Sequence, residues 1–469
     1  MEDFFKLKER GTTIRKEFVA GMVTFFAMCY ILSVNAGMFS NPLGDGSNPL
    51  GVSFGAIYIG TGLAAIVGAL LMGLLANLPL ALASAMGENA FFVYSVCLAL
   101  GMSYPNALVL TLIDGILFIA LTVTGLRRLV FDSIPTSVRK GIMVGLGLFI
   151  ALLGLQSAGI VVAHPSTGVT LASFNVMTNK WGALMPCLVA LGTFWTICAL
   201  SHRNVPGAVF IGLFAGTVAY YFLGVTVAGF YDTVNLSLES PFAAFKAFGK
   251  ESFGQVFTRG FDFSPYIAEH GMTSFALVFA TTAVSMCMMD LFDTLGTLYA
   301  TCGEGNLLTK EGNVPNMNRA MLADSIATTV GAACGVSTVS TFVESSAGVM
   351  EGGRTGLTSI FTALFFGLAL FLTPIARLVP SCATSACLVY VGALMLGGAK
   401  NIDWQRLDVA IPAFMTICMI PFTCNIAFGI AFGMFSYVIM SFASKRASEI
   451  SASSWVVTIL FGATLFLTH

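Results

Sequence analysis

The chain has 469 residues, of which 57% are hydrophobic and 10% charged, where an ordinary soluble domain carries roughly 25% charged residues. Its mean hydropathy of +0.87 and its 41 Phe exceed what a soluble fold can hide, which excludes a cytosolic enzyme, a nucleic-acid binder and a disordered protein. The net charge of −1 gives no reason to expect nucleic acid or any other polyanion as a partner. What remains is an all-α polytopic membrane protein embedded in a lipid bilayer. Its apolar runs are about 20 residues long, unlike the short alternating strands of a β-barrel.

The N-terminal stretch, residues 1–17, is charged and amphipathic, with no cleavage pattern of a removable signal peptide. Apolar spans follow at 18–39, 54–77, 79–100, 106–125, 138–162, 181–200, 206–229, 273–300, 320–335, 337–351, 356–376, 382–399, 407–423 and 425–443, fourteen in all. A further apolar stretch, 454–467, is short for a full span and reads as interfacial or re-entrant. With the N-terminus inside, all of the 22 Lys and Arg except Lys180, Lys246, Lys250, Arg259 and Arg377 fall on the inside. That bias fits the positive-inside rule and makes both termini cytoplasmic.

The outside segment 230–272 is the longest loop, and its 241–258 part carries Phe at roughly helical spacing, as an interfacial amphipathic helix would. The inside segment 301–319, with Gly303, Gly305 and Pro315, reads as a linker between two halves. The 11 Cys are scattered, most lie inside spans, and no C-x-x-C pair occurs, so they read as small apolar filler rather than as a metal or disulfide framework.

Two spans are unusual. Span three holds Pro79, Gly87, Glu88 and Asn89 within apolar sequence. Span ten begins with the small and β-branched run 337–343, a poor helix former and a good strand former, and becomes helix-friendly only after Glu344. Each reads as a short extended piece followed by a half-helix. Extended backbone at membrane depth needs protein or a cavity around it. Broken spans at corresponding places in two halves mark a transporter binding site at the midplane. A weak echo supports the halves: Met28-Cys29 precedes Asn35 with the spacing by which Met286-Cys287 precedes Asp293. Seven spans per half, an odd number, make the second half inverted.

Six acids lie inside spans: Glu88, Asp114, Asp290, Asp293, Asp324 and Glu344. Ionisable groups there are costly and functional by default. Asp290 and Asp293, three apart, share roughly one helix face. Glu344 stands where the extended piece of span ten meets free N–H groups at a helix start, and Glu88-Asn89 holds the comparable place in span three. A carboxylate that changes protonation as substrate binds is a natural coupling element of a proton symporter. Asp324 reads as a structural ion pair with Arg319 or as a cap, and Asp114 as interhelical glue. His164, His202, His270 and His469 lie in or near loops, so a histidine proton relay is not expected.

The runs Met289-Asp290-Leu291-Phe292-Asp293-Thr294-Leu295-Gly296, Asn318-Arg319-Ala320-Met321-Leu322-Ala323-Asp324, and Val343-Glu344-Ser345-Ser346-Ala347-Gly348-Val349 with Gly352-Gly353-Arg354-Thr355-Gly356 resemble the azaguanine-permease-like branch of the nucleobase–cation symporter-2 (nucleobase–ascorbate transporter) superfamily. The resemblance runs over nearly the whole chain. It implies fourteen transmembrane spans in a 7+7 inverted repeat, with short antiparallel strands in spans three and ten. It further implies a core domain (18–125 and 273–376) that carries substrate and a gate domain (138–229 and 382–443) that supports it and offers a homodimer contact.

The implied activity is import of purine nucleobases (adenine, guanine, hypoxanthine or xanthine) across a plasma membrane, or a bacterial inner membrane, with protons as coupling ion and no other cofactor. By motif position Asp290, Glu344 and Asn89 would bind the base, and Asp293 and Glu88 would support the site or couple protons. Glu88 departs from the apolar residue expected between Gly87 and Asn89. Carboxylates accept from ring N–H groups and an amide can both donate and accept, which suits a purine edge; Phe91, Phe92, Phe292 and Phe342 are candidates for a stacking face. The alternative is an anion transporter of the same architecture, against which the membrane acids argue. An intramembrane aspartyl protease would place its two Asp on separate helices, and here the sole Gly-Asp, Gly44-Asp45, is in a loop.

Overall fold

The computed structural model describes residues 2–43, 46–125, 134–164, 167–175, 181–203, 205, 207–226, 240–310 and 313–468. Gly44-Asp45, Lys180, His469 and residues 230–239 of the long loop lie outside the described residues.

The first span is two helices in line, α1 (Ile14–Met28) and α2 (Tyr30–Ser40), with Thr13 accepting from Lys16 N as the N-cap. Span two is α3 (Phe54–Leu71), capped by Ser53, which ends in a π-helical stretch Met72–Ala76 and the left-handed Asn77. Span three opens as strand β1 (Leu82–Ser84), turns helical as α4 (Met86–Ala90), and continues as a π-helix over Phe91–Ala99. Helix α5 (Tyr104–Thr124) starts with Ser103 as cap and Pro105 in its first turn, where a missing N–H costs nothing, and stops at Gly125. Spans five to seven are α6 (Thr136–Ser157), α7 (Trp181–His202) and α8 (Ala208–Thr226). Between α6 and α7 lies a hairpin of β2 (Val161–His164) and β3 (Gly168–Leu171) that the hydropathy pattern does not announce.

Helix α9 (Pro241–Glu251) is the amphipathic segment read in the long loop. It buries Ala244 and Phe248, packs on α3 and leaves Phe242 exposed. The second half runs α10 (Met272–Glu304), α11 (Met317–Ala333), strand β4 (Val339–Thr341), α12 (Ser345–Met350), α13 (Gly356–Ala369), α14 (Ser381–Met395), α15 (Leu407–Thr423) and α16 (Ile426–Ala443). Nine of the described helical stretches are long and apolar enough to cross a bilayer. The shorter apolar helices α8 and α15, the 17-residue α11 and the two strand-broken spans stand where the sequence places the other five spans. The 454–467 stretch forms a continuous helix, α17 (Ala452–Thr468), packed beside α10 and α16, with Phe461 buried.

Two packing groups stand out. In the first, α13 lies on α1 and α3, α11 on α3 and α5, and α10 on α5. In the second, α6 lies against α14 and α15, α15 against α16, and α7 against α8 and α14. Outward faces keep large apolar side chains exposed, among them Trp195, Phe214, Phe222 and Phe422, as a lipid-facing surface requires.

Strands β1 and β4, one from each half, pair antiparallel in the register Leu82↔Thr341, Ala83↔Ser340 and Ser84↔Val339. Two further backbone bonds extend the ladder, Ala85 N to Thr338 O and Phe342 N to Ala81 O, both at 3.0 Å. Leu-Ala-Ser is not strand-like by propensity. Pro79 cannot donate to a helical ladder, and the carbonyls of Leu78 and Leu80 on either side accept from Ser359 Oγ at 2.7 Å, which holds this stretch open. On the other side, Thr328 Oγ1 donates to Val339 O and accepts from Val339 N.

Candidate functional site

A cavity of about 410 Å³ lies between the two packing groups, where the broken spans meet. One wall is Tyr30 of α2, Ala85 to Glu88 at the start of α4, Asp293 and Thr297 of α10, and Thr341 to Glu344. The opposite wall is α6 (Lys140, Met143, Leu146) and α14 with the turn after it (Val391 to Asn401). Three carboxyls, Glu88, Asp293 and Glu344, therefore share one cavity. Lys140 stands at its rim, and its ammonium donates to the carbonyl of Asn401.

Glu344 is half-buried and accepts from the Tyr30 hydroxyl at 2.6 Å. It immediately precedes α12, where free N–H groups favour a negative group. Asp293 is also half-buried, and its Oδ2 accepts from Ser340 Oγ at 2.9 Å. Glu88 sits in the first turn of α4, is 1% exposed, and has an Oε1 without a hydrogen-bond partner among the described residues.

Asn89 and Asp290 stand behind this wall and do not line the cavity. Asn89 Oδ1 accepts from Ser84 Oγ at 2.7 Å and from Ser337 Oγ, while its Nδ2 donates to Ser84 O at 3.3 Å. Its amide thus ties the last residue of β1, Ser84, to Ser337 just before β4. Asp290 is fully buried, and neither oxygen meets a hydroxyl or amide donor among the described residues. The carboxyl it faces is Asp324.

Asp324 makes no ion pair with Arg319 among the described residues. It accepts from Thr294 at 2.8 Å and Thr341 at 3.3 Å, because α11 turns it inward onto α10 and β4. Asp114 accepts from Thr338 at 2.8 Å, which joins α5 to the extended approach of β4 rather than to another helix. Of the four Phe considered for stacking, Phe342 lines the cavity. Phe92 stacks on Phe39 with ring centroids 5.2 Å apart, Phe91 is buried, and Phe292 lies under the Arg139 guanidinium at 5.8 Å. Tyr30, Thr297 and Thr341 are lining residues that sequence reasoning did not single out. Tyr30 lies midway along a plain apolar span, with no local sign of its role.

The long Gly-Gly-Arg-Thr-Gly motif lies away from the cavity. Glu17, fully buried, accepts from Arg354 N, Thr355 N, Thr358 N and Thr358 Oγ1 at 2.5–3.3 Å, and so caps α13. Arg354 donates to the carbonyls of Val349 and Gly353, and Arg10 to those of Asn77 and Arg354. This is a structural latch between the ends of α1, α3 and α13.

The model of the Permease family matches residues 15–432, most of the chain. The chain belongs to that family. The guanine/hypoxanthine permease PbuO of Bacillus subtilis is 38% identical over 99% of this chain and 100% of its own length. The adenine permease AdeP of Escherichia coli is 35% identical over 98% of this chain and 95% of its own. Among solved structures, the transmembrane domain of the cyanobacterial bicarbonate transporter BicA matches with a TM-score of 0.57 at 14% identity, covering 95% of this chain and 97% of that one. SLC26A9 matches with a TM-score of 0.59 at 13% identity, covering 92% of this chain and 66% of that one. At such identities the likeness is one of fold, shared with these transporters.

Proposed function

We propose that the protein imports purine nucleobases coupled to protons, by alternating access across the plasma membrane (the inner membrane in a bacterium), with both termini cytoplasmic. The observation that carries the reading is the cavity with three carboxyls between the two helix groups. Its volume falls in the rough range of 300–1,000 Å³ usual for small-molecule pockets. Its acceptors suit the N–H groups of a base edge, and Phe342 offers an aromatic face. Relatives over the full chain are named for guanine, hypoxanthine and adenine. The same carboxyls disfavour an anion as cargo.

In this reading Glu344, Asp293 and Glu88 face the base. Asn89 and Asp290 act from behind, Asn89 by fixing the strands and Asp290 as part of the proton-carrying machinery. The group containing α1–α5 and α10–α13 is the core that carries substrate. The group containing α6–α8 and α14–α16 is the gate, with its outer face available for a homodimer contact.

The test is uptake of labelled adenine, guanine, hypoxanthine and xanthine by cells lacking their own carriers, with and without a protonophore, for the unmodified chain, Asp293→Asn and Glu344→Gln. The reading expects saturable purine uptake that the protonophore and both variants abolish at normal surface expression. Absence of purine uptake by well-expressed unmodified protein would overturn it.

A further inference from the structure

The carboxyl cluster behind the cavity is joined to the cavity by an unbroken line of oxygens. Asp293 Oδ2 accepts from Ser340 Oγ at 2.9 Å. Ser340 Oγ lies 3.2 Å from Thr294 Oγ1, and either can donate. Thr294 Oγ1 donates to Asp324 Oδ2 at 2.8 Å, and Asp324 adjoins Asp290. Ser340, Thr294, Asp324 and Asp290 are all fully buried, whereas Asp293 reaches the cavity. Asp290 has two oxygens without a donor at full burial. An ionised carboxyl at such a place is strongly disfavoured. A proton shared between the carboxyls of Asp290 and Asp324 removes that cost.

We propose that Thr294 and Ser340 form a proton wire connecting a storage pair, Asp290–Asp324, to the substrate-facing Asp293. The inference deepens the proton-coupled reading above and rests on it. With Asp324 ionised, Thr294 donates to Asp324 and Ser340 donates to Asp293, so no proton lies between the two hydroxyls. When Asp324 holds the proton, it donates to Thr294, which frees the Thr294 hydroxyl to turn to Ser340. All donors then point towards Asp293.

Transfer breaks the O–H bonds of Asp324, Thr294 and Ser340. It forms new O–H bonds on Thr294, Ser340 and Asp293. One proton moves and both hydroxyls are restored. The reverse sequence reloads the pair. The other titratable groups facing this line are Asp114 from α5, Glu88 from α4, Glu344 beyond β4 and Cys287 on α10 itself. The cations on this side are Arg139 of α6, over the ring of Phe292, and Lys140, which lines the same cavity as Asp293. The ion pairs among the described residues lie elsewhere, at Lys6–Glu9 and around Asp408.

The experiment uses the full chain in proteoliposomes with labelled guanine, hypoxanthine and adenine. It compares base-for-base counterflow, which needs no net proton movement, with accumulation driven by a pH gradient and with proton entry followed by a trapped pH dye. At saturating base, Thr294→Val and Ser340→Ala are expected to keep counterflow near the unmodified rate, the loss of the Ser340 donor to Asp293 showing only as a higher half-saturating concentration. They are expected to lose gradient-driven accumulation and proton entry by about a hundredfold, the low end of what a positioned proton-transfer group contributes. Thr294→Ser, which keeps the hydroxyl, is expected to restore both.

Unchanged accumulation and proton entry in Thr294→Val and Ser340→Ala would overturn the wire. So would a parallel fall of counterflow and accumulation, which marks a structural role. Should Thr294→Val not fold, Ser340→Ala against Ser340→Thr makes the same comparison. Base exchange without proton entry by the unmodified chain would overturn the wire alone. No base exchange at all would take the nucleobase reading down with it.

Discussion

Tyr30 and Glu344 stand 314 residues apart in sequence, and the Tyr30 hydroxyl donates to Glu344 Oε1 at 2.6 Å. The bond joins the first span to the second half and orients one oxygen of a cavity carboxyl. Tyr30→Phe keeps the ring and removes the donor. A hydrogen bond to a charged group is worth about 1.5–3 kcal/mol, so the half-saturating base concentration should rise at least about tenfold while folding survives. Concentration-dependent uptake alongside surface labelling checks this.

Asn89 separates positioning from binding. Asn89→Ala leaves Ser84 and Ser337 without their shared acceptor in a fully buried place, at a cost of about 2–3 kcal/mol. The expected result is a lower melting temperature in detergent and less protein at the surface, with little change in apparent affinity for the protein that folds. Asn89→Asp retains the acceptor and should lie between the two.

Glu88 gives the opposite pattern. Its Oε1 has no partner to orphan, so Glu88→Leu should leave thermal stability equal or raised. The variant removes one of three carboxyls from the cavity wall, and uptake should change in its ranking among purines. Competition of unlabelled bases against one labelled base measures that ranking.

Glu17 lies outside the cavity, so its loss should read as instability alone. Glu17→Ala withdraws four hydrogen bonds from the start of α13 and should cost at least about 3 kcal/mol. A thermal-shift measurement on solubilised protein tests this; a melting temperature equal to that of the unmodified chain would count against the capping role.

Gly356 tests the crossing of α3 and α13. A Cβ there would sit 2.1 Å from the carbonyl oxygen of Gly73, a backbone atom that cannot swing aside. Gly356→Ala should force the helices apart and destabilise the protein by about 1–3 kcal/mol, seen in the same thermal assay.

Span ten was legible from the strand propensity of 337–343, and span three from Pro79 and from the polar Glu88-Asn89 inside apolar sequence. The membership of the carboxyl cluster was also legible, since each acid is exceptional at its place. What could not be read was which acids face the cavity. Asp290 and Asp293 differ by only about 60° around the helix axis, and contacts from distant sequence, the Ser340 hydroxyl of β4 on Asp293 among them, set Asp293 in the cavity wall and leave Asp290 buried behind it. The ion pair expected between Asp324 and Arg319 does not form, because Thr294 and Thr341, which arrive from distant sequence, bind the Asp324 carboxyl instead. The Gly-Gly-Arg-Thr-Gly motif identified the family yet serves the latch around Glu17, so a conspicuous motif need not mark the cavity.

The pairing of Leu82–Ser84 with Val339–Thr341 has a consequence for synthesis. Span three enters the membrane with extended backbone whose partners are translated more than half a chain later. Unpaired N–H and C=O groups in hydrocarbon are costly, so the nascent first half must be sheltered by insertion machinery, or wait in a looser arrangement, until span ten arrives. A chain cut before β4 would keep its apolar helices and still lack a partner for the strand at its centre. Quality control in the cell would meet it as an unfinished protein.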